Sequence, residues 1–507
     1  MIRRIIRILF VSACLATVLV PRGILAGQES VKGMLYAGWA FVDITPDRPV
    51  ALEGQMYTRI SKFVHDPLTA TALALETKQG EARIGEALMI SADLCAISKD
   101  EILEPLRALL RQRLSDLDTA RVIVNVTHTH TGPVTGGLLE YEIPPNTEVM
   151  RTPEYQRFLL GKLAEAAVSA WQARRPALVS WGLGYAVVGH NRRAVYADGT
   201  AQMYGKTDRS DFRRFEGYED HAVQALFFWT PERQLTGVAA LVPCPSQLVE
   251  EEQYLSADFW SEARQELWKR HGKNLFVYPM TGASGDQSPH LMFRNRAEEL
   301  RRRGLSLSAT QDVGRRIANA VDDALDGART DLHAELPLMH QVAVLRLPRR
   351  MVTAAEAEAA RKEYEEALKA KEGSERQWHL YFGKQVMDRF SEQERNREYL
   401  TEVHTIRLGD VAIVTNPFEL FLDYGLQMGA RSPAVETLVV QLSCGYGGYL
   451  PTALAIQGGS YSTKPSSNEV GPEGGDLLVN RTVEMIQALW GDSGNKPMAT
   501  DTPATHD

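Results

Sequence analysis

A chain of 507 residues, 44% hydrophobic and 24% charged, has ordinary globular composition and can bury a large core. Its net charge of -8 excludes a general nucleic-acid binder, which needs a basic footprint. At the N-terminus, Arg3, Arg4 and Arg7 precede an apolar run over 8–20, and cleavage is expected after Ala26. That run is short for a membrane span. Residues 1–26 therefore read as a signal peptide, and the mature protein as secreted or periplasmic. Cleavage leaves Cys95, Cys244 and Cys444, an odd set that is not a disulfide framework.

Residues 37–86 alternate strands and turns, and 87–93 reads as a buried strand. A helix is predicted over about 99–117, followed by the stretch RVIVNVTHTHTGP at 121–133. Val122, Val124 and Val126 share one strand face, and continued alternation puts His128 and His130 on that face at the strand's end. Two imidazoles at this spacing can converge on one ion, and Gly132-Pro133 breaks the strand there. The strand–helix–strand order suggests a βαβ-like unit with the histidines at its carboxyl end, where open α/β sheets place ligands.

Further on, a helix over 153–175 precedes a strand that runs into the loop GHNRR. Strands are predicted at 222–229 and 237–242, the second delivering Pro243-Cys244-Pro245. A helix at 258–269 and a strand at 275–280 lead into the glycine-rich TGASGDQSPH, and a helix near 312–325 closes that unit. The basic run Arg301–Arg303 reads as a solvated helix face. Between 352 and 400 a capping box at Thr353 and Glu356 opens a charged helical excursion, either a lid over a site or a solvated hairpin. Strands resume at 402–408 and 411–415 and lead into NPFELFLDYGLQM, a loop turning into a helix. Glycine-rich loops occupy 445–475, and 491–507 is polar and expected to be disordered. With no repeat and no linker, the fold class is α/β: one large catalytic domain over 27–490, with mixed β-sheets flanked by helices.

The segments THTHTGP, GHNRR, GASGDQSPH, NPFEL and GYGGYLPT, each following a strand-like run, together resemble the catalytic domain of neutral/alkaline non-lysosomal ceramidases over about 37–489. The resemblance implies a zinc ligand at His128, with His130 beside the reacting carbonyl and Arg192 near the developing oxyanion. It also implies a functional serine at Ser288, metal ligands at Glu419 and Tyr449, and an oxyanion donor at Tyr461. The family's second histidine ligand falls on Cys244, where either a thiolate replaces the imidazole or the cysteine is a small buried residue. No counterpart of the family's C-terminal immunoglobulin-like domain is expected, which leaves peripheral membrane docking in question.

The implied activity is zinc-dependent hydrolysis of the N-acyl amide of ceramide-like lipids. Zinc makes water reactive, His130 handles the proton, and Arg192 and Tyr461 meet the oxyanion. There is no GxSxG elbow, which favours water as the attacking group; Ser288 is either a covalent nucleophile or a contact to a substrate hydroxyl. The alternatives are a zinc hydrolase of another amide or ester, and a metal-free lipid- or glycan-binding protein on the same fold.

Overall fold

The computed structural model describes residues 31–491, apart from 137–142, 144, 146–147 and 372. The expected signal peptide and the polar tail from 492 onward lie outside the described residues.

The first sheet is laid down by β1 (Gly33–Asp43), β2 (Thr69–Gln79) and β3 (Ala82–Ala92), each antiparallel to the next. A π-helical turn at Lys99–Leu103 runs into helix α1 (Glu104–Arg113), which returns the chain to β4 (Val122–Val126). β4 pairs parallel with β3, the βαβ arrangement expected from the sequence. All five residues of β4 are buried, as a β-branched run covered on both faces should be. Helix α2 (Thr152–Gln172), with Pro153 in its first turn, packs on β1 and β2.

The second sheet comprises β5 (Leu178–Tyr185), β6 (Ala222–Trp229), β7 (Leu235–Val242) and, after helix α3 (Phe259–His271), β8 (Phe276–Thr281). Its order is β8-β7-β6-β5, and only β7 and β8 run parallel. Helix α4 (Asn295–Leu305) carries the Arg301–Arg303 run and buries none of its residues. Helix α5 (Ala309–Ala328), opened by a capping box of Ser308 and Gln311, covers this sheet together with α3.

The third sheet contains β9 (Leu338–Pro348), then, beyond the paired helices α6 (Ala354–Lys369) and α7 (Ser374–Glu392), β10 (Glu398–Leu408) and β11 (Val411–Thr415). Helix α8 (Leu422–Arg431) joins β11 to its parallel partner β12 (Glu436–Val440), and helix α9 (Pro472–Trp490) packs on α8 and β9. β9, β12 and α9 are absent from the sequence reading. The central core takes residues from all three sheets, among them Ile90, Val124, Tyr278, Met280, Ile413 and Val440. The expected α/β class of mixed sheets flanked by helices is what forms. Among the described residues, no helix is long and apolar enough to cross a membrane.

Candidate active site

Each sheet contains one parallel pair, β3/β4, β7/β8 and β11/β12, and the carboxyl ends of all six strands meet. Backbone and side-chain bonds weld these ends together. The Cys444 amide donates to the Val124 carbonyl at 2.8 Å, Thr281 Oγ1 to Val126 O at 3.0 Å, and Asn125 Nδ2 to Pro279 O at 3.3 Å. The loops leaving these ends carry the segments singled out in the sequence.

Asp286 of the GDQSP segment bridges two others. Its carboxylate accepts from Asn191 Nδ2 and from the Leu422 amide, both at 2.9 Å, tying GHNRR to NPFEL. Burial raises this carboxyl to about 6, with backbone donors working against the rise. A glycine is required just before it, because a Cβ at Gly285 would lie 2.3 Å from the Glu419 carbonyl oxygen.

The strand alternation expected to carry through to His130 stops at Val126, and His128 adopts a left-handed φ of 61°. The two imidazoles converge even so, with their Nε2 atoms 3.4 Å apart. His128 Nδ1 donates to the Cys95 carbonyl at 2.7 Å, which leaves Nε2 directed to the other side of the ring. His128 Nε2 lies 3.5 Å from Glu419 Oε2. Burial works against the Glu419 charge, but His128, Arg192 and Tyr449 hold its pKa down at about 2. Tyr446 donates to Glu419 Oε1 at 2.8 Å. Tyr449 stands opposite Glu419 in a short parallel pairing.

His130 Nδ1 lies 3.1 Å from Glu250, and Gln247 Nε2 lies 2.8 Å from His130 Nε2. Burial, with His128 and Arg59 nearby, lowers its pKa to about 4 against the pull of Glu250, so the ring is neutral. Gly54 packs flat on this ring at φ 100°, where a Cβ would come within 2.3 Å of His130 Cγ.

The structure brings His128, His130, Glu419, Tyr449 and Tyr461 to one cavity of about 350 Å³. Arg192 stands behind it, donating to the Tyr449 hydroxyl at 3.1 Å, Gly285 O at 3.0 Å and Gln247 Oε1 at 3.4 Å. Ser288 is fully buried and sits one step further back, accepting from the Tyr204 hydroxyl at 3.0 Å; that hydroxyl in turn accepts from Arg192 at 3.2 Å.

Cys244 is not brought to this group. It belongs to the apolar core between the second sheet and helices α3 and α5. The Pro243 and Pro245 flanks turn its sulfur toward the Pro245 carbonyl, 3.5 Å away. The thiol beside the histidines is Cys95, with its sulfur 3.6 Å from His128 Nδ1 and, with His128 and His130, offering ligand atoms within 4.8 Å of one another. Burial, with Glu53 and Glu419 nearby, pushes the Cys95 thiol well up.

Sequence reasoning also missed Gln247, Glu250 and Tyr446. Cys95 had a readable signal, since it follows the strand that pairs with the HxH strand. The cavity's opposite wall comes from α7, through Trp378, Phe382 and Val386, with Arg349, Arg389 and Glu469 also lining it. The second helix of the 352–400 excursion therefore forms part of the cavity wall.

No family model matches the sequence, and no curated protein matches it. Solved structures do. The chain aligns with neutral ceramidase from Pseudomonas aeruginosa at a TM-score of 0.63 and 15% identity, over 90% of this chain and 74% of that one. It aligns with a structure described as ceramidase complexed with C2 at 0.63 and 14% identity, over 90% and 75% of the respective chains. At such identity the likeness establishes a shared fold: the protein has the architecture of these ceramidases.

Proposed function

We propose that the protein is a zinc-dependent amidohydrolase that cleaves the N-acyl amide bond of ceramide-like lipids. The observation carrying this reading is the convergence of His128, His130, Glu419 and Cys95 in a cavity walled on its far side by aromatic residues. The donor set suits zinc, because an imidazole, a carboxylate and a thiol, all zinc ligand types, line one cavity with His128 Nε2 3.5 Å from Glu419 Oε2. His128, Glu419 and Tyr449 would hold the ion, with Cys95 supplying the thiol expected at Cys244. When bound, zinc makes water reactive near neutral pH and polarises a carbonyl.

The chain's own residues do the rest. Neutral His130, backed by Glu250 and oriented by Gln247, accepts the proton from the attacking water and passes it to the departing amine. Tyr461 lines the cavity and offers its hydroxyl to the oxyanion. Arg192 fixes Tyr449 and Gln247 rather than meeting the substrate first. Trp378, Phe382 and Val386 give the acyl chain an apolar wall and exclude water.

Metal analysis and a fluorogenic ceramide assay test this. About one zinc per chain is expected, with His130→Ala retaining zinc while turnover is lost. A chain without zinc would favour the metal-free binding protein. Zinc without ceramide turnover would favour a hydrolase of another amide or ester.

A further inference from the structure

On the far side of Tyr446 lies a second cluster that the proposed hydrolysis leaves unused. Glu402, His404 and Cys444 offer ligand-type atoms within 4.8 Å of one another. Cys444 Sγ lies 3.6 Å from His404 Nε2, and that nitrogen is 2.9 Å from Glu402 Oε1. His404 Nδ1 meets His340 Nε2 at 2.9 Å, and His340 Nδ1 faces the Glu86 carbonyl at 3.3 Å.

The acceptors at the two ends of this chain fix its protons. A carbonyl only accepts, so His340 carries hydrogen on Nδ1 and accepts at Nε2 from His404 Nδ1–H. A carboxylate also only accepts, so His404 carries hydrogen on Nε2 as well. The His404 ring is therefore an imidazolium. Burial opposes that charge, but Cys444 and Glu402 outweigh it and hold the pKa up at about 9.

Arg107 grips both Glu402 oxygens, at 2.6 and 3.1 Å, and Lys99 reaches one of them at 3.2 Å. With its carboxylate so occupied, the cluster is a poor cation site. Lys99, Arg107 and His404, set against Glu402 and Glu104, leave one surplus positive charge in this cluster. His404 Nε2, 3.6 Å from the sulfur, is placed to give a proton to a group leaving from it. Cys444 also holds a left-handed φ of 61° and lines a separate cavity of about 270 Å³, with Lys99, Glu402 and Tyr446.

We propose that Cys444 is a peroxide-reactive thiol, with His404 as its proton donor. The sulfur attacks one oxygen of hydrogen peroxide, the S–O bond forms and the O–O bond breaks. The departing hydroxide takes the His404 Nε2 proton and leaves as water. Sulfur is oxidised by two electrons to a sulfenic acid, and the peroxide is reduced. The other two thiols lack this setting. Cys244 lies among apolar side chains, and Cys95 sits between Glu53 and Glu419, so burial and acidic neighbours push it up.

The test treats the full chain with dilute hydrogen peroxide and a β-dicarbonyl probe for sulfenic acid, then maps adducts by mass spectrometry. Cys444 should label about tenfold or more faster than Cys95 and Cys244 in the native chain, and all three alike in urea. His404→Asn should slow the peroxide reaction more than alkylation by iodoacetamide, which needs no proton donor. Equal native labelling of the three thiols, or an equal loss of both reactions in the variant, overturns the proposal. So does protection of Cys444 by added zinc that a chelator reverses. If His404→Asn does not fold, the selectivity of the native chain decides alone.

Discussion

Glu53 shows how one residue sets a pH response. It is fully buried beside the Gly54 contact on His130, and Arg59 ties the Glu53 carbonyl to the His130 carbonyl at 2.7 and 2.6 Å. Burial raises its carboxyl from 4.5 to about 8, partly offset by the backbone amide of Thr135. An acid with a raised folded-state pKa contributes fully below its unfolded value. Stability is then lost as pH rises from 4.5 toward 8. Glu53→Gln mimics the neutral acid, so the variant should gain a few kcal/mol over the parent at pH 9 and little at pH 4. Urea unfolding at the two pH values measures this, and parallel curves for parent and variant would refute it. At the same scale, Cys244 and Cys95 mark what sequence reading could not reach. A thiol in a motif position says nothing about which way the backbone turns it, and only packing sends Cys244 into the core.

At the scale of elements, the HxH strand, its βα predecessor and the helices α2, α3 and α5 were legible because their apolar spacing is local. β12 and α9 were not. β12 lies in the stretch between the NPFELFLDYGLQM helix and the glycine-rich loops, to which the sequence reading assigns no element, and α9 opens on Pro472-Glu473-Gly474-Gly475, a turn-like signature. Helix α7 was legible as a helix but not as a wall of the site, because its partners lie far off in sequence. Trp378 packs at a tilt against Phe382, 4.2 Å between ring centroids, and approaches Tyr461 at 6.2 Å. Trp378→Ala should raise KM for a long-chain N-acyl lipid about tenfold while sparing kcat, because an apolar wall binds ground state and transition state alike. Steady-state kinetics on short- and long-chain substrates measure this, and an unchanged KM for both would remove α7 from substrate binding.

At the scale of the whole molecule, the first sheet is clamped to the helical layer of the second by one buried ion pair. Arg264 on α3 donates to both oxygens of Asp93 just beyond β3, at 2.8 and 3.0 Å, and both side chains are buried. Breaking such a pair strands a charge, so Arg264→Met should cost about 3–5 kcal/mol. Adding Asp93→Asn should restore part of that loss. Thermal or urea unfolding of the single and double variants checks it, and additive losses would show that the pair is not coupled.

By itself, the sequence determined the α/β class and most of the helices and strands. It also placed nearly every site residue at the end of a strand-like run, because apolar periodicity and turn residues act over a few positions. Only the tertiary structure decided which ends meet. Three parallel strand pairs from three sheets aim their carboxyl ends at one point, a consequence of how the sheets pack around a shared core. That convergence exchanged one cysteine for another beside the histidines, set Arg192 and Ser288 back from the cavity, and left a second thiol facing His404.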